Sequence, residues 1–425
     1  MTFNIIHDII KLRKGGGLPP KTEKMVWVWK LRDSCCRDAC FNLWYKYGKT
    51  PVAADALLNL YFFTRSIKMK NFADVHIHLS DFDFGKTYET LETVRAQGVT
   101  DVALQALGYR SVAYNLAMLY WKIRYTKMRV KVFGAMHLCD RYANVPFEEQ
   151  AEKLIGLGVD GIKLIDMCPD IRQVTGKGVN DVKYDKMLSL LEKKGIPVLL
   201  HSADPETFWD KPNGAYCDGT FLSKQELYDE TFEMLEKHPD LKIVLAHFFF
   251  LSDFPEEAAK VLDKYPNVCF DLTPGCEMYP NFSKRRDVWR EFFIKYSDRI
   301  LFGTDTNSVK NFNAEINELV FRALTEKGEF VMPCYRSVKI SGLDLPADAL
   351  ENICYNNYVR FTGDKTAEVN RKELYESCEK LLNVMLSEPY DPVYERCAKY
   401  LPMLASDPRQ SKAITVLKNI LNEKV

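Results

Sequence analysis

The chain contains seven histidines, and four of them close apolar, β-prone runs: His76 and His78 in ADVHIH, His201 in IPVLLH and His247 in KIVLAH. An aspartate, Asp305, closes a further run, ILFGTD. Imidazole nitrogens with one carboxylate make the ligand set of a catalytic Zn²⁺ or related divalent ion, with bonds of about 2.0–2.2 Å. Side chains two apart on a strand share a face. His76 and His78 can therefore both point into one site while Val75 and Ile77 pack against helices. A single strand-end histidine is usually an ordinary hydrogen-bonded residue. A pair, two more and an aspartate at the ends of separate strands read as one metal site.

Such a site needs a scaffold that gathers strand ends. From Asn71 onward short β-prone runs recur: Phe72–His78, Asp101–Ala106, Val130–His137, Gly161–Ile165, Ile196–His201, Lys242–His247, Val268–Leu272 and Ile300–Asp305. Helix-prone stretches separate them, among them Tyr88–Gln97, Phe147–Leu157, Tyr184–Lys194, Lys224–Lys237 and Glu256–Lys264. Alternating strands and helices imply right-handed crossovers and a parallel sheet, and eight units over 71–325 predict a closed (β/α)8 TIM barrel. The carboxyl ends of barrel strands converge on one mouth, where residues distant in sequence meet. Residues 1–70, with Gly15-Gly16-Gly17 as an early break, read as a helical N-terminal extension, and 326–425 as C-terminal helices packing on the barrel.

Charge and composition narrow the function. The 58 basic and 58 acidic side chains balance, so the chain lacks the basic excess that binding nucleic acid or a membrane surface requires. No apolar stretch approaches the roughly 20 residues of a membrane span, and Phe3–Ile6 is too short for a signal-peptide core. The 12 cysteines have no regular spacing, as expected of reduced thiols in a cytoplasmic protein. Cys35, Cys36 and Cys40 lack the spacing of zinc or redox motifs, and Cys36 and Cys40 suit one buried helix face.

The series DVHIH, GIKL, IPVLLH, IVLAH and ILFGTD resembles the amidohydrolase superfamily, in particular its amidohydrolase-2 branch of metal-dependent hydrolases and decarboxylases. LENICYNNYVRF at 350–361 resembles the helix that follows the barrel in that branch. The resemblance implies His76, His78 and His201 as metal ligands and Asp305 as ligand and proton shuttle. It implies that His247 polarises the substrate or orients the attacking water. Lys163, in GIKL, stands where some superfamily members carry a carboxylated lysine bridging two metals. Left as an ammonium, it would pair with a substrate carboxylate, and one Zn²⁺ is the expected content.

Other contacts rest on position alone. Trp209 lies in the long loop after the fifth strand, where it either lines the pocket or anchors the loop. Asp204 either supports a ligating histidine or caps a turn. His137 ends the third strand, and Arg141 just beyond it would suit an anionic group. The implied activity is hydrolysis of an amide, lactone or ester by metal-activated water with Asp305 as general base. The alternative is non-oxidative decarboxylation of an aromatic or unsaturated acid. Either reading calls for a small-molecule substrate and admits a carboxylic acid. The aromatic-rich N-terminal segment would suit a homo-oligomer contact.

Overall fold

The computed structural model describes residues 71–79, 83–108, 112–138, 142–275, 277–307, 313–331, 338–388 and 409–425. The expected N-terminal extension, Arg141 and the cysteines at 35, 36 and 40 lie outside the described residues. The chain divides into Met1–Asn59 and Leu60–Val425; everything below belongs to the second unit.

The strands are β1 (Ala73–His78), β2 (Asp101–Gln105), β3 (Arg129–Ala135), β4 (Gly161–Met167), β5 (Val198–Ser202), β6 (Ile243–Leu245), β7 (Val268–Asp271), β8 (Ile300–Leu301) and β9 (Thr306–Asn307). They lie in one parallel sheet in the order β8-β7-β6-β5-β4-β3-β2-β1-β9. The last two strands are halves of one run, Ile300–Asn307. Its first half pairs with β7 and its second with β1, and Val75 N–H donates to Phe302 O at 3.1 Å between them. The sheet therefore closes on itself as a (β/α)8 barrel. The eighth strand, expected as continuous through Asp305, is interrupted between Leu301 and Thr306, and Asp305 at the end of that break takes a left-handed φ of 52°.

The crossover helices are α1 (Phe84–Ala96), α2 (Ala113–Arg124), α3 (Phe147–Leu157), α4 (Pro169–Thr175), α5 (Val182–Lys194), α6 (Lys224–Lys237), α7 (Pro255–Lys264), α8 (Met278–Lys284), α9 (Arg286–Lys295) and α10 (Asn313–Thr325). Local chemistry explains their ends. Asp83 caps α1 through Lys86 N–H, Asp181 caps α5 through Lys183 N–H, and Ser223 with Glu226 forms a capping box on α6. These bonds satisfy N–H groups that the helix itself leaves unpaired. Gly158 and Gly195 end α3 and α5 with left-handed φ values of 101° and 64°, which glycine adopts without steric cost.

One sequence expectation fails inside β1. Val75 does not pack against the crossover helices. It joins Ala103, Phe133, Leu199, Val244 and Leu301 in an inner cluster, whereas Ile77 belongs to the outer one. The β1–β2 register slips between Asp74 and Ile77. This bulge inserts one residue and reverses the alternation. Val75 thus faces the barrel interior while His76 and His78 still reach the mouth.

Beyond the barrel come an antiparallel hairpin, β10 (Glu329–Val331) with β11 (Lys339–Ser341), and the helices α11 (Ala347–Glu351), α12 (Asn357–Thr362), α13 (Arg371–Ser387) and α14 (Arg409–Asn422). The hairpin had no counterpart in the sequence expectations. Tyr358 and Phe361 of α12 pack on the inner cluster, and Lys131 Nζ donates to Thr362 O at 2.8 Å. Helices α13 and α14 pack on α2, with Tyr120 OH donating to Glu423 O at 3.0 Å. No described helix is long and apolar enough to cross a membrane.

Candidate metal centre

The strand ends bring His76, His78 and Asp305 together, with one donor atom from each within 4.8 Å of the others. His76 Nδ1 donates to Asp271 Oδ2 at 2.8 Å, and His78 Nδ1 donates to the Gln105 carbonyl at 2.7 Å. A carboxylate and a carbonyl can only accept, so each ring carries its proton on Nδ1 and leaves a lone pair on Nε2. The two Nε2 atoms lie 3.0 Å apart. Two lone pairs at that distance repel unless a cation lies between or beside them. Asp305 Oδ1 stands 3.4 Å from His78 Nε2. A divalent ion fits this donor set: two Nε2 lone pairs and a carboxylate, with each imidazole oriented by an outer partner. A proton fits poorly, because burial and the neighbouring Lys163 hold the basicity of His76 well below its ordinary value.

Asp305 is placed by the break in the eighth strand. Its N–H donates to His76 O at 2.9 Å. Just before it, Thr304 Oγ1 donates to Asp74 Oδ2 at 2.6 Å, so the turn is fastened to β1 on both sides.

His247 begins a left-handed turn. Residues His247, Phe248, Phe249 and Phe250 all have positive φ, from 50° to 56°, at about 1–2 kcal/mol each for L-residues. The surroundings offset that strain. Phe248 and Phe249 are fully buried, Phe248 stacks on Phe293 at a centroid distance of 5.6 Å, and each contributes about 1.5–3 kcal/mol by burial. Tyr228 OH donates to Phe249 O at 2.7 Å, and Asp271 Oδ1 accepts the His247 N–H at 2.8 Å. His247 Nδ1 lies 3.2 Å from Thr273 O and 3.1 Å from Thr273 Oγ1. The Thr273 hydroxyl donates to Asp271, so His247 must be the donor and its Nε2 bears the lone pair. Burial, with His201 beside it, lowers its pKa to about 4, so the ring is neutral near pH 7. Its ring centroid is 5.5 Å from that of His76 and 4.7 Å from that of His201.

His201, expected as a third ligand, is not part of the close group. Its Nε2 faces Ala203 O at 3.0 Å and Asp204 Oδ1 at 3.5 Å. Lys163 is buried at the mouth, with Nζ 3.4 Å from His76 Nε2. Burial lowers its pKa to about 8.

The weaker positions divide. Trp209 donates its indole N–H to Leu222 O at 3.0 Å, which fastens the long loop after β5. His137 has its N–H on Gln150 Oε1 at 2.8 Å and its ring 6.0 Å from that of Tyr142. Sequence reasoning missed Asp271, Gln105 and Thr273. Asp271 had a usable signal, for it ends its strand in VCFD as the histidines end theirs.

The profile of the amidohydrolase family (Amidohydro_2) matches residues 73–361, from the start of β1 into α12. No curated protein matches. Among solved structures, the chain is similar to 2,6-dihydroxybenzoate decarboxylase from Rhizobium at 15% identity, over 69% of this chain and 99% of that one, with a TM-score of 0.46. It is similar to a dihydroxybenzoic acid decarboxylase from Polaromonas sp. JS666 with bound manganese and 2-nitroresorcinol, at 14% identity over 69% and 97%, TM-score 0.42. An amidohydrolase from Mycoplasma synoviae is similar at 15% identity over 73% and 94%, TM-score 0.41. With its barrel spanned by the family profile and His76, His78 and Asp305 converging at the strand ends, the chain belongs to the amidohydrolase family.

Proposed function

We propose that the protein is a metal-dependent hydrolase in which His76, His78 and Asp305 hold one divalent ion, most simply Zn²⁺. The observation that carries this reading is the 3.0 Å approach of two imidazole Nε2 lone pairs. His201 adds a third imidazole only by turning its Nε2 away from Ala203 O and Asp204. When bound, the ion supplies Lewis-acid polarisation and acidifies water toward a pKa of about 7.

The residues divide the proton work. Asp305, partly exposed at the mouth, accepts a proton from the attacking water and returns it to the leaving group, so none is lost over the cycle. His247 Nε2 is an acceptor. It therefore orients the water by taking a hydrogen bond from it, the second of the two roles the resemblance implies, and cannot donate to a developing oxyanion while neutral. Thr273 and Asp271 hold it in that tautomer. The substrate is a small molecule with an amide, lactone or ester carbonyl.

One observation favours a second reading. Lys163 is buried beside His76, and as an ammonium it would pair with a substrate carboxylate. That supports metal-dependent decarboxylation of an aromatic or unsaturated acid. The test is to assay metal-loaded protein against lactones, esters, amides and aromatic carboxylic acids, following both proton release and carbon dioxide. The hydrolase reading expects ring opening or ester cleavage without carbon dioxide. Carbon dioxide from an aromatic acid, with no hydrolysis in the panel, would replace it by the second.

A further inference from the structure

The turn after β6 sets three phenylalanines in a row, and their rings go to different places. Phe248 lies among Trp289, Phe292 and Phe293, and Phe249 packs on Tyr228 at a centroid distance of 4.4 Å. Both are core residues. The Phe250 ring lies against the site instead. It stacks on the His247 imidazole, with centroids 5.2 Å and planes 23° apart, and its centroid is 5.6 Å from that of His201. One edge reaches the loop after β7, where a Cβ placed on Gly275 would stand 3.4 Å from Phe250 Cε1. The ring therefore spans the carboxyl ends of β5, β6 and β7.

The backbone holds that ring in place. Phe250 has a φ of 50°, which glycine would adopt without the cost that a Cβ brings. Phenylalanine stands there nonetheless, and strain kept at a strand-end turn points to a use for the side chain. Helix α6 grips the turn through two residues one helical turn apart. Tyr228 OH donates to Phe249 O at 2.7 Å, and Lys224 Nζ donates to Phe250 O at 3.1 Å. Lys224 is buried, and Glu206 meets its charge at 3.1 Å. The carbonyl of the strained residue thus has a charge-assisted partner. A wall discriminates between substrates only if it does not yield, and this one is moored at both ring and carbonyl.

We propose that Phe250 is a specificity-determining residue, its ring closing the side of the mouth next to His247 so that the substrate group lying there is apolar and compact. A phenyl ring offers that group no hydrogen bond, which favours carbon over polar atoms. A fixed ring also leaves a branched or fused group no room, and forcing extra carbons against packed side chains costs about tenfold or more in affinity. The proposal rests on the reading of His76, His78 and Asp305 as a metal site, not on the choice between hydrolysis and decarboxylation.

The experiment is calorimetric titration of the Zn²⁺-loaded full chain with acetohydroxamate, benzohydroxamate and 2-naphthohydroxamate. These share one chelating head and differ only in the group beside it. Wild type is compared with Phe250→Gly, in which glycine relieves the backbone strain, and with Phe250→Leu, which keeps an apolar side chain on the turn should glycine loosen it. Each protein is read by the ratio of its affinities for 2-naphthohydroxamate and acetohydroxamate, so that any change in binding of the common head cancels. The ratio should rise at least about tenfold in Phe250→Gly and by a smaller factor in Phe250→Leu. If wild type binds acetohydroxamate and the ratio is unchanged or lower in the folded variants, Phe250 is not the wall and the proposal is overturned. If wild type binds none of the three, the metal-site reading fails and takes this proposal with it.

Discussion

Asp271 Oδ2 lies 2.8 Å from His76 Nδ1, although 195 residues separate the two, and Asp271 Oδ1 accepts the His247 N–H at 2.8 Å. One buried carboxylate thereby fixes the tautomer of a proposed metal ligand and the turn carrying its neighbour. Asp271→Asn keeps the size but must present an NH2 to one of these two donors. Metal affinity should fall about 10–100-fold, the usual cost of removing such an outer partner, with far-ultraviolet circular dichroism unchanged. Competition against a chelator measures it, and unchanged affinity would remove Asp271 from the metal-positioning role.

Asp305 holds a left-handed φ of 52°, a conformation asparagine also tolerates. Asp305→Asn should therefore fold with the wild-type melting temperature. It lacks the basic carboxylate, so turnover on any substrate found should drop by at least about 10²-fold, as for loss of a general base. An undiminished rate would show that the proton goes elsewhere.

Much of this site was legible because strand ends are. An apolar run that stops at a histidine or aspartate marks both the strand and the residue at its mouth, which is how His76, His78, His247 and Asp305 stood out. Other features had no such signature. Helix α2 is buried nearly all round, between the barrel and the helices α13 and α14, so its sequence AYNLAMLYWKIR shows no polar face to give a helical period. The bulge that turns Val75 inward depends on one unpaired residue in β1, and a period-two reading cannot register it. His201 could be seen at a strand end, but the direction of its ring depends on Asp204, Ala203 and the close approach of Cys168 from another loop. Asp271 carried the same strand-end signal, but its partnership with His76, two strands away and 195 residues distant in sequence, had none.

Lys163 decides between one metal and two. Carboxylation needs a neutral amine, and burial moves its pKa to about 8, so most of the side chain remains an ammonium at pH 7. Its Nζ already lies 3.4 Å from His76 Nε2. Elemental analysis of metal-loaded protein should find about one ion per chain, unchanged in Lys163→Ala. Two ions falling to one or none on mutation would instead establish a bridging carbamate.

Lys131 supplies a pH signature far from the mouth. Its Nζ donates to Thr362 O at 2.8 Å, to Thr362 Oγ1 at 2.9 Å and to Gly363 O, which fastens α12 to the base of the barrel. Burial nevertheless lowers its pKa to about 8, against about 10.4 in an unfolded chain. Between those values the unfolded chain binds more protons than the folded one, so this residue makes stability rise with pH through that window and fall again as pH drops through 8. The check is to follow urea midpoints of wild type and Lys131→Met from pH 7 to 10.5. Methionine keeps the unbranched stem and cannot titrate, while Lys163 and the tyrosines contribute to both curves and cancel. The wild-type midpoint should climb relative to the variant between about pH 8 and 10.4. A constant difference across that range would mean that the three oxygens around Nζ fully compensate its burial and hold the ammonium at its ordinary pKa.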